Sequence, residues 1–380
     1  MEKESIKEFC ALNLGGEIKK YPEDFIVEEI TPSKKICSIK YNFIEILKDT
    51  IPKKRKEHLH FTLVKRNWTT LRAISEISKK LRISRKRFGF AGTKDKKAIT
   101  AQRVSVWNVS IEQLKKVKIK DILIKEFEYS DKRIRLGDLY GNRFTIVIRN
   151  PDLSKVKEIE NVLKKPIPNF FGPQRFGIQR KVNHLIGKQL LLGNFEGAVM
   201  LLITKQEGKN EAREFAAKHW GEWKKILKVW PKNLGVEAAV LNYLVKYPKD
   251  YANALRRLPK NLRKMFVHSY QSWVFNKTLA KALKRDIKVK KIPLIGYKTQ
   301  LSGEIGEIIK EILKEEQIKL EHFKMKRMPE LAEEGDEREA FMFVEDFKLL
   351  KIRKNYIKIR FSLQKGNYAT TVLSYLGVDI

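Results

Sequence analysis

The sequence predicts an α/β or α+β protein: a domain made by the two strand-rich ends of the chain, interrupted by a mostly helical insertion. Three observations predict it. Strand-like and helix-like stretches alternate over the first 165 residues, helical spacing takes over after the prolines at Pro166 and Pro168, and strand-like alternation returns near residue 350. With 380 residues the chain can hold two or three domains. The expected division is a sheet domain from residues 1–166 and 346–380, with 167–345 inserted.

In chain order, YPEDFIVEEI (Tyr21 to Ile30) alternates as a strand after Pro22, and HLHFTLVKR (His58 to Arg66) reads as another. Pro52 to Lys56 (PKKRK) is a basic turn between them. Leu71, Ile74, Ile77 and Leu81 recur at helical spacing, with Thr69 or Thr70 as the cap. That helix leads into RISRKRFGFAG and then a strand, ITAQRVSVWNV. NRFTIVIRN (Asn142 to Asn150) follows the turn Gly137 to Gly141 and reads as a further strand. NHLIGKQLLLGNFEGAVMLLI and LRKMFVHSYQSWVFNKTLAKALK carry the helical middle. The acidic stretch Pro329 to Asp346 reads as a solvated loop, and YIKIRFSLQKGNYATTVLSYL as returning strand. No repeat of fixed period is present.

Charge narrows the function. Lys+Arg number 80 against 45 Asp+Glu, a formal charge of +35 that repels itself unless a polyanion shares the surface. Nucleic acid is the leading partner, an anionic membrane surface the second. No apolar run approaches the roughly 20 residues of a membrane span, and MEKESIKEFC lacks a signal-peptide core, so a cytoplasmic protein is expected. Cys10 and Cys37 form no CxxC pair and are expected to be reduced.

Residues 89–106, GFAGTKDKKAITAQRVSV, present Asp95 among Lys94, Lys96 and Lys97 in a turn just ahead of a strand. Neighbouring cations keep a carboxylate ionised and available as a nucleophile, and the same lysines can hold a phosphate backbone. Loops at sheet edges are where rigid scaffolds mount such groups. Other chemistries lack their residues. There is no GxxxxGK[ST], no TKxD and no GxGxxG opening a βαβ unit. His58 and His60 share a strand face without nearby cysteines, and the acidic stretch is not a clustered-carboxylate metal site. One aspartate, basic residues and aromatics suit covalent chemistry on a nucleobase with no cofactor and no metal.

Six segments in order resemble the motif set of the TruD family of pseudouridine synthases: PEDFIVEE (from Pro22), AGTKDKKAITAQ (from Ala91), GNRFTIVIR (from Gly141), NFFGPQRFG (from Asn169), SYQSWVFN (from Ser269) and KGNYAT (from Lys365). The resemblance implies an α+β fold, a mixed antiparallel-sheet pseudouridine synthase catalytic domain carrying the family's mostly helical α/β insertion, and isomerisation of uridine to pseudouridine in tRNA at position 13. It implies no membrane and no obligate protein partner.

The resemblance also implies roles. Asp95 is the catalytic aspartate, with attack at base or sugar, or a glycal, left open. Phe144 stacks on the flipped base, or is core; Asn142 bonds the aspartate or the base, or is a turn residue; Phe25, Glu23 and Lys19 lie near the site, Phe25 closing the pocket. A basic partner for Asp95 comes from Lys365 or from Arg149. Gln174 and Arg175 contact RNA or lock the domains together, whereas the three phenylalanines around them pack. Lys53, Lys54 and Arg55 in the first basic run, and Arg85, Lys86 and Arg87 in the second, are candidates for phosphate contact. Two alternatives remain: a noncatalytic RNA-binding protein on the same fold, which would not need Asp95, and a metal-dependent RNA nuclease.

Overall fold

A computed structural model describes residues 8–177, 180–205 and 208–379; the extreme N-terminus, read above for a signal peptide, lies largely outside them. The chain forms two compact units, one running to Ile167 and resuming at Met342, the other Pro168–Phe341.

Eight strands of the first unit make one sheet: β1 (Phe25–Ile30), β2 (His58–Arg66), β3 (Phe88–Phe90), β4 (Ile99–Trp107), β5 (Ile122–Ser130), β6 (Gly141–Arg149), β7 (Glu345–Arg353) and β8 (Tyr356–Gln364). Their order is β7-β8-β6-β1-β4-β2-β5, with β3 on β4. β1 and β4 run parallel while the other pairs are antiparallel, so the sheet is mixed. At the β6–β8 crossing a Cβ on Gly141 would meet the Leu363 carbonyl oxygen at 2.1 Å, so only glycine fits there.

Register sorts the side chains by face. Val27 lies opposite Phe144, Phe144 opposite Phe361, and Leu63 opposite Gln102. On that one face two separate hydrophobic clusters form. The first joins Phe25, Val27, Phe144, Ile146, Ile359 and Phe361; the second joins Leu59, Phe61, Leu63, Val104 and Phe127 with Ile74 and Ile77 of the helix Thr70–Leu81. Each fully buried side chain of this size contributes roughly 1.5–3 kcal/mol. Thr69 caps that helix by accepting from the Arg72 amide. Its inner stripe is Ala73, Ile74, Ile77 and Ser78; Leu71, expected inside, is 59% exposed because it sits to one side of that stripe.

Other expectations need correction. After Gln364 the chain turns at Gly366 and forms the helix Ala369–Tyr375, with Ala369, Val372, Leu373 and Leu376 buried at helical spacing. β5 escaped prediction because Lys125 and Glu126 interrupt its alternation, and its pairing shifts register there.

In the second unit the helix Lys260–Lys284 buries Phe266, Val267, Tyr270, Val274 and Phe275, and packs on Asn183–Leu191. The acidic stretch is not solvated throughout. Glu330 accepts from Arg263 at 2.5 Å and Arg256 at 3.2 Å, and Glu333 from Lys264 and His268, both at 2.9 Å. Burial pushes the Glu330 carboxyl up, but its hydrogen bonds, Arg263 foremost, hold it at about 2. Asp336–Glu339 pairs as a strand with Lys291–Leu294. Basic residues on the long helix draw these carboxylates inward.

Candidate active site

The turn Gly92–Lys97 crosses the sheet face that carries both hydrophobic clusters, and polar residues standing in phase with that face hold it. By register, Glu29 and Asn142 are partners across β1 and β6, and Lys65 and Thr100 across β2 and β4. Lys94 reaches inward to Glu29 at 2.8 Å, and both side chains are buried. Glu29 also accepts from the Arg103 amide at 3.1 Å. Thr70 Oγ1 accepts from the Lys94 amide at 3.0 Å and donates to Gln102, whose Nε2 donates to the Gly92 carbonyl at 2.8 Å. Lys65 is 1% exposed, and its Nζ donates to the carbonyls of Trp68 at 2.5 Å, Asp95 at 3.1 Å and Lys94 at 3.4 Å.

Above this scaffold the Asp95 carboxylate is 48% exposed. Its Oδ2 accepts from Lys19 Nζ at 2.8 Å, and the same ammonium stands 4.1 Å from the centre of the Phe25 ring. Lys19 adopts φ 57°, a left-handed conformation that costs an ordinary residue about 1–2 kcal/mol and therefore marks a constraint. Phe25 and Phe144 meet edge-on at 6.2 Å, and Phe144 packs on Phe361 at 5.6 Å. Phe25 is 3% and Phe144 7% exposed, so both are largely core and can offer a base no more than a ring edge. Asn142 Oδ1 is buried with no hydrogen-bond partner, an acceptor a bound molecule can fill. The arrangement supplies a fixed, ionisable oxygen beside a cation, an aromatic floor and one unfilled acceptor.

The other expected site residues distribute differently. The basic partner of Asp95 is Lys19. Arg149 makes a two-pronged bond to Asp24 at 2.7 and 2.9 Å, and Lys365 donates to the Gly137 carbonyl at 3.3 Å. Lys94 is not a phosphate contact, since its charge is buried against Glu29. Glu23 binds Arg66 at 2.6 Å. Lys96 and Lys97 are exposed beside Asp95.

In the second unit Gln174 is exposed, while Arg175 donates to Ser272 at 2.9 Å and lies over Phe171. Phe170, Phe171 and Phe176 are buried, as are Tyr270 and Phe275.

The two basic runs meet. Arg87 donates to the Trp107 and Asn108 carbonyls, and Arg55 to the Asn108 side chain at 2.9 Å. Lys53 leans on Asp49 at 3.3 Å, while Lys54, Arg85 and Lys86 are exposed beside them. Trp107 is 47% exposed at the same corner. Among the described residues no group of three His, Cys, Asp or Glu side chains is placed to hold a metal.

Sequence reading missed Lys65, Glu29, Thr70 and Gln102. The signal was present in HLHFTLVKR and PEDFIVEE: Lys65 falls in phase with Leu59, Phe61 and Leu63, and Glu29 with Phe25 and Val27. A charged residue at an inward position of an alternating strand must have a buried partner.

The sequence pattern of tRNA pseudouridine synthase D (TruD) matches residues 9–292 and 288–375. A probable tRNA pseudouridine synthase D of Methanopyrus kandleri is 38% identical over 343 residues, spanning 85% of this chain and 86% of that protein. One of Methanocaldococcus jannaschii is 40% identical over 384 residues, spanning 94% of each. A TruD crystal structure from Methanosarcina mazei superposes with a TM-score of 0.76 at 32% identity, over 98% of this chain and 96% of that one.

Proposed function

Because the chain belongs to the TruD family of tRNA pseudouridine synthases, we propose that it isomerises uridine to pseudouridine at position 13 of tRNA with Asp95 as the nucleophile. The reaction breaks the N1–C1′ bond, forms C5–C1′, removes the C5 proton and returns a proton to N1. Its composition does not change, so it needs a nucleophile, a proton acceptor and a wall for the turning base, and no oxidant or reductant. The observation that carries the reading is Asp95 itself, half open to solvent, yet mounted on a turn whose backbone and neighbours are held from below.

The target base must leave its stack to reach Asp95. Lys19 orients the carboxylate and balances its charge until the base arrives. Phe144 and Phe25 border the pocket, and the unfilled Asn142 Oδ1 accepts the N3–H of uracil, a donor that cytosine lacks. Lys96, Lys97, Lys54, Arg85 and Lys86 contact phosphates, with Trp107 as a stacking surface at the far end of β4. Eight strand steps separate Trp107 from Ile99, roughly 26 Å, so tRNA is gripped well away from the reacting base. The enzyme works in the cytoplasm with its tRNA, and no helix among the described residues is long and apolar enough to cross a membrane.

The test is incubation of tRNA transcripts with the protein in EDTA, followed by mapping of pseudouridine. Conversion is expected at U13 and absent from a U13→C transcript. Conversion only at other positions overturns the site; strand cleavage on adding a divalent cation supports the nuclease; RNA binding without either supports a noncatalytic protein.

A further inference from the structure

We propose that Lys65 is a positioning residue for this reaction: its buried ammonium clips the catalytic turn to the sheet by gathering the carbonyl oxygens of Trp68, Lys94 and Asp95. The proposal rests on Asp95 being the reacting group. Lys65 stands at the end of β2 with its side chain on the face that the turn crosses. Three residues before it in the inward phase, Leu59, Phe61 and Leu63, are wholly buried hydrocarbon. Packing alone would ask for a fourth.

A lysine here has a cost that an apolar residue would not incur. Its hydrogen-bond acceptors are carbonyl oxygens rather than a carboxylate. Partial charges on three carbonyls compensate a buried cation less well than an ion pair does. The charged groups facing it are the Asp95 carboxylate, which favours its ionised form, and Lys94, which opposes it; Lys94 is itself paired with Glu29, and Lys19 stands on the far side of Asp95. The ammonium is therefore stabilised by the same residue it positions. Thr70 and Gln102 hold Gly92 and the Lys94 amide, whereas Lys65 takes the carbonyl of Asp95 itself.

A consequence follows for pH. Burial pushes the Lys65 ammonium down to about 8, with the Asp95 charge opposing that fall and the Lys94 charge adding to it. Above that value the clip loses its charge and the turn loosens. Stability responds in the opposite sense: between about 8 and the ordinary lysine value of 10.5 the unfolded chain binds more protons at this group, so its titration makes the fold more stable as pH rises. Activity and stability thus diverge with pH, which a purely structural lysine would not produce.

The experiment compares wild type, Lys65→Met and Lys65→Arg for kcat, KM for tRNA and thermal stability from pH 6.5 to about 9.5, a range bracketing the fall at about 8. In Lys65→Met, kcat at neutral pH should fall on the order of 100-fold, as for a reacting group displaced by about 1 Å, with KM nearly unchanged. The alkaline fall in kcat that the clip predicts for wild type should be absent from Lys65→Met. Lys65→Arg, which keeps the charge, should retain that loss of alkaline sensitivity and recover part of kcat. Should Lys65→Met not fold, the wild-type profile decides: a kcat flat to pH 9.5 overturns the proposal. An unchanged kcat in Lys65→Met, or an alkaline limb that persists in it, also overturns it. A wild type that makes pseudouridine and an Asp95→Ala that does not keep the underlying reading intact whatever Lys65 does.

Discussion

Two regions of the first unit treat carboxylates in opposite ways: the surroundings of Asp49 and Glu28, and the turn that carries Asp95. Asp49 and Glu28 are buried and closed off. Asp49 accepts from the Tyr41 hydroxyl at 2.8 Å, the amides of Glu126 and Phe127 at 2.7 and 2.9 Å, and Lys53 at 3.3 Å. Glu28 accepts from the Ile39 amide and from Arg143 through two bonds. On the sheet face that the turn crosses, Asp95 is half exposed with a lysine at one oxygen, and Asn142 leaves an acceptor empty. The satisfied network organises structure, since each of its groups already has a protein partner. The unsatisfied one is available to a ligand. Buried polarity alone therefore does not mark a site; incomplete satisfaction next to an exposed carboxylate does.

The contrast breaks most sharply if Asp95 proves dispensable. Asp95→Ala should lower kcat by about 10⁴-fold or more while tRNA binding, measured by filter retention, stays within a few-fold (roughly 1 kcal/mol). Asp49→Ala should do the reverse. Leaving three buried donors without an acceptor should cost about 3–5 kcal/mol of unfolding free energy, read by urea titration, with kcat of the folded fraction unchanged. Lys19→Met should reduce kcat by about 100-fold, because the carboxylate loses its orienting cation but keeps its turn.

Acid sharpens the same comparison. Burial pushes the carboxyls of Asp24 and Asp49 up, but hydrogen bonds, from Arg149 and the Tyr21 amide to one and from Tyr41 and two amides to the other, leave both below their ordinary 3.8. Their stabilisation is complete above that value and is lost as pH falls through the lower folded values, so the stability advantage of wild type over Asp49→Asn should narrow as pH falls below about 4, read by urea titration at each pH. The smallest effect should come from the outer lysines. Lys54→Ala and Lys86→Ala should each reduce the salt slope of tRNA binding by about one and leave kcat unchanged.

Much of the fold was legible because alternation is a direct imprint of one-sided burial: Phe25 and Val27, Leu59 to Leu63, and Phe144 to Ile148 all fell on strands. β5 was not, since Lys125 sits wholly buried and pairs with Glu45, a partner 80 residues away. Long-range pairing of charges leaves no local periodicity. The same limit applied at the candidate site. Asp95 announced itself by local sequence, but its cation came from Lys19, 76 residues upstream, and not from Arg149 or Lys365. Arg87 and Arg55 read as phosphate contacts because a run of cations reads as surface; that their guanidinium groups also bind the Trp107–Asn108 corner left no local signal.

The most direct test measures kcat and unfolding free energy together for two isosteric changes, Asp95→Asn in the exposed turn and Asp49→Asn in the closed network beside β5. The account predicts that Asp95→Asn loses pseudouridine formation with its stability intact, and that Asp49→Asn loses stability while its folded molecules turn over at the wild-type rate. An active Asp95→Asn, or a stable but inactive Asp49→Asn, would contradict it.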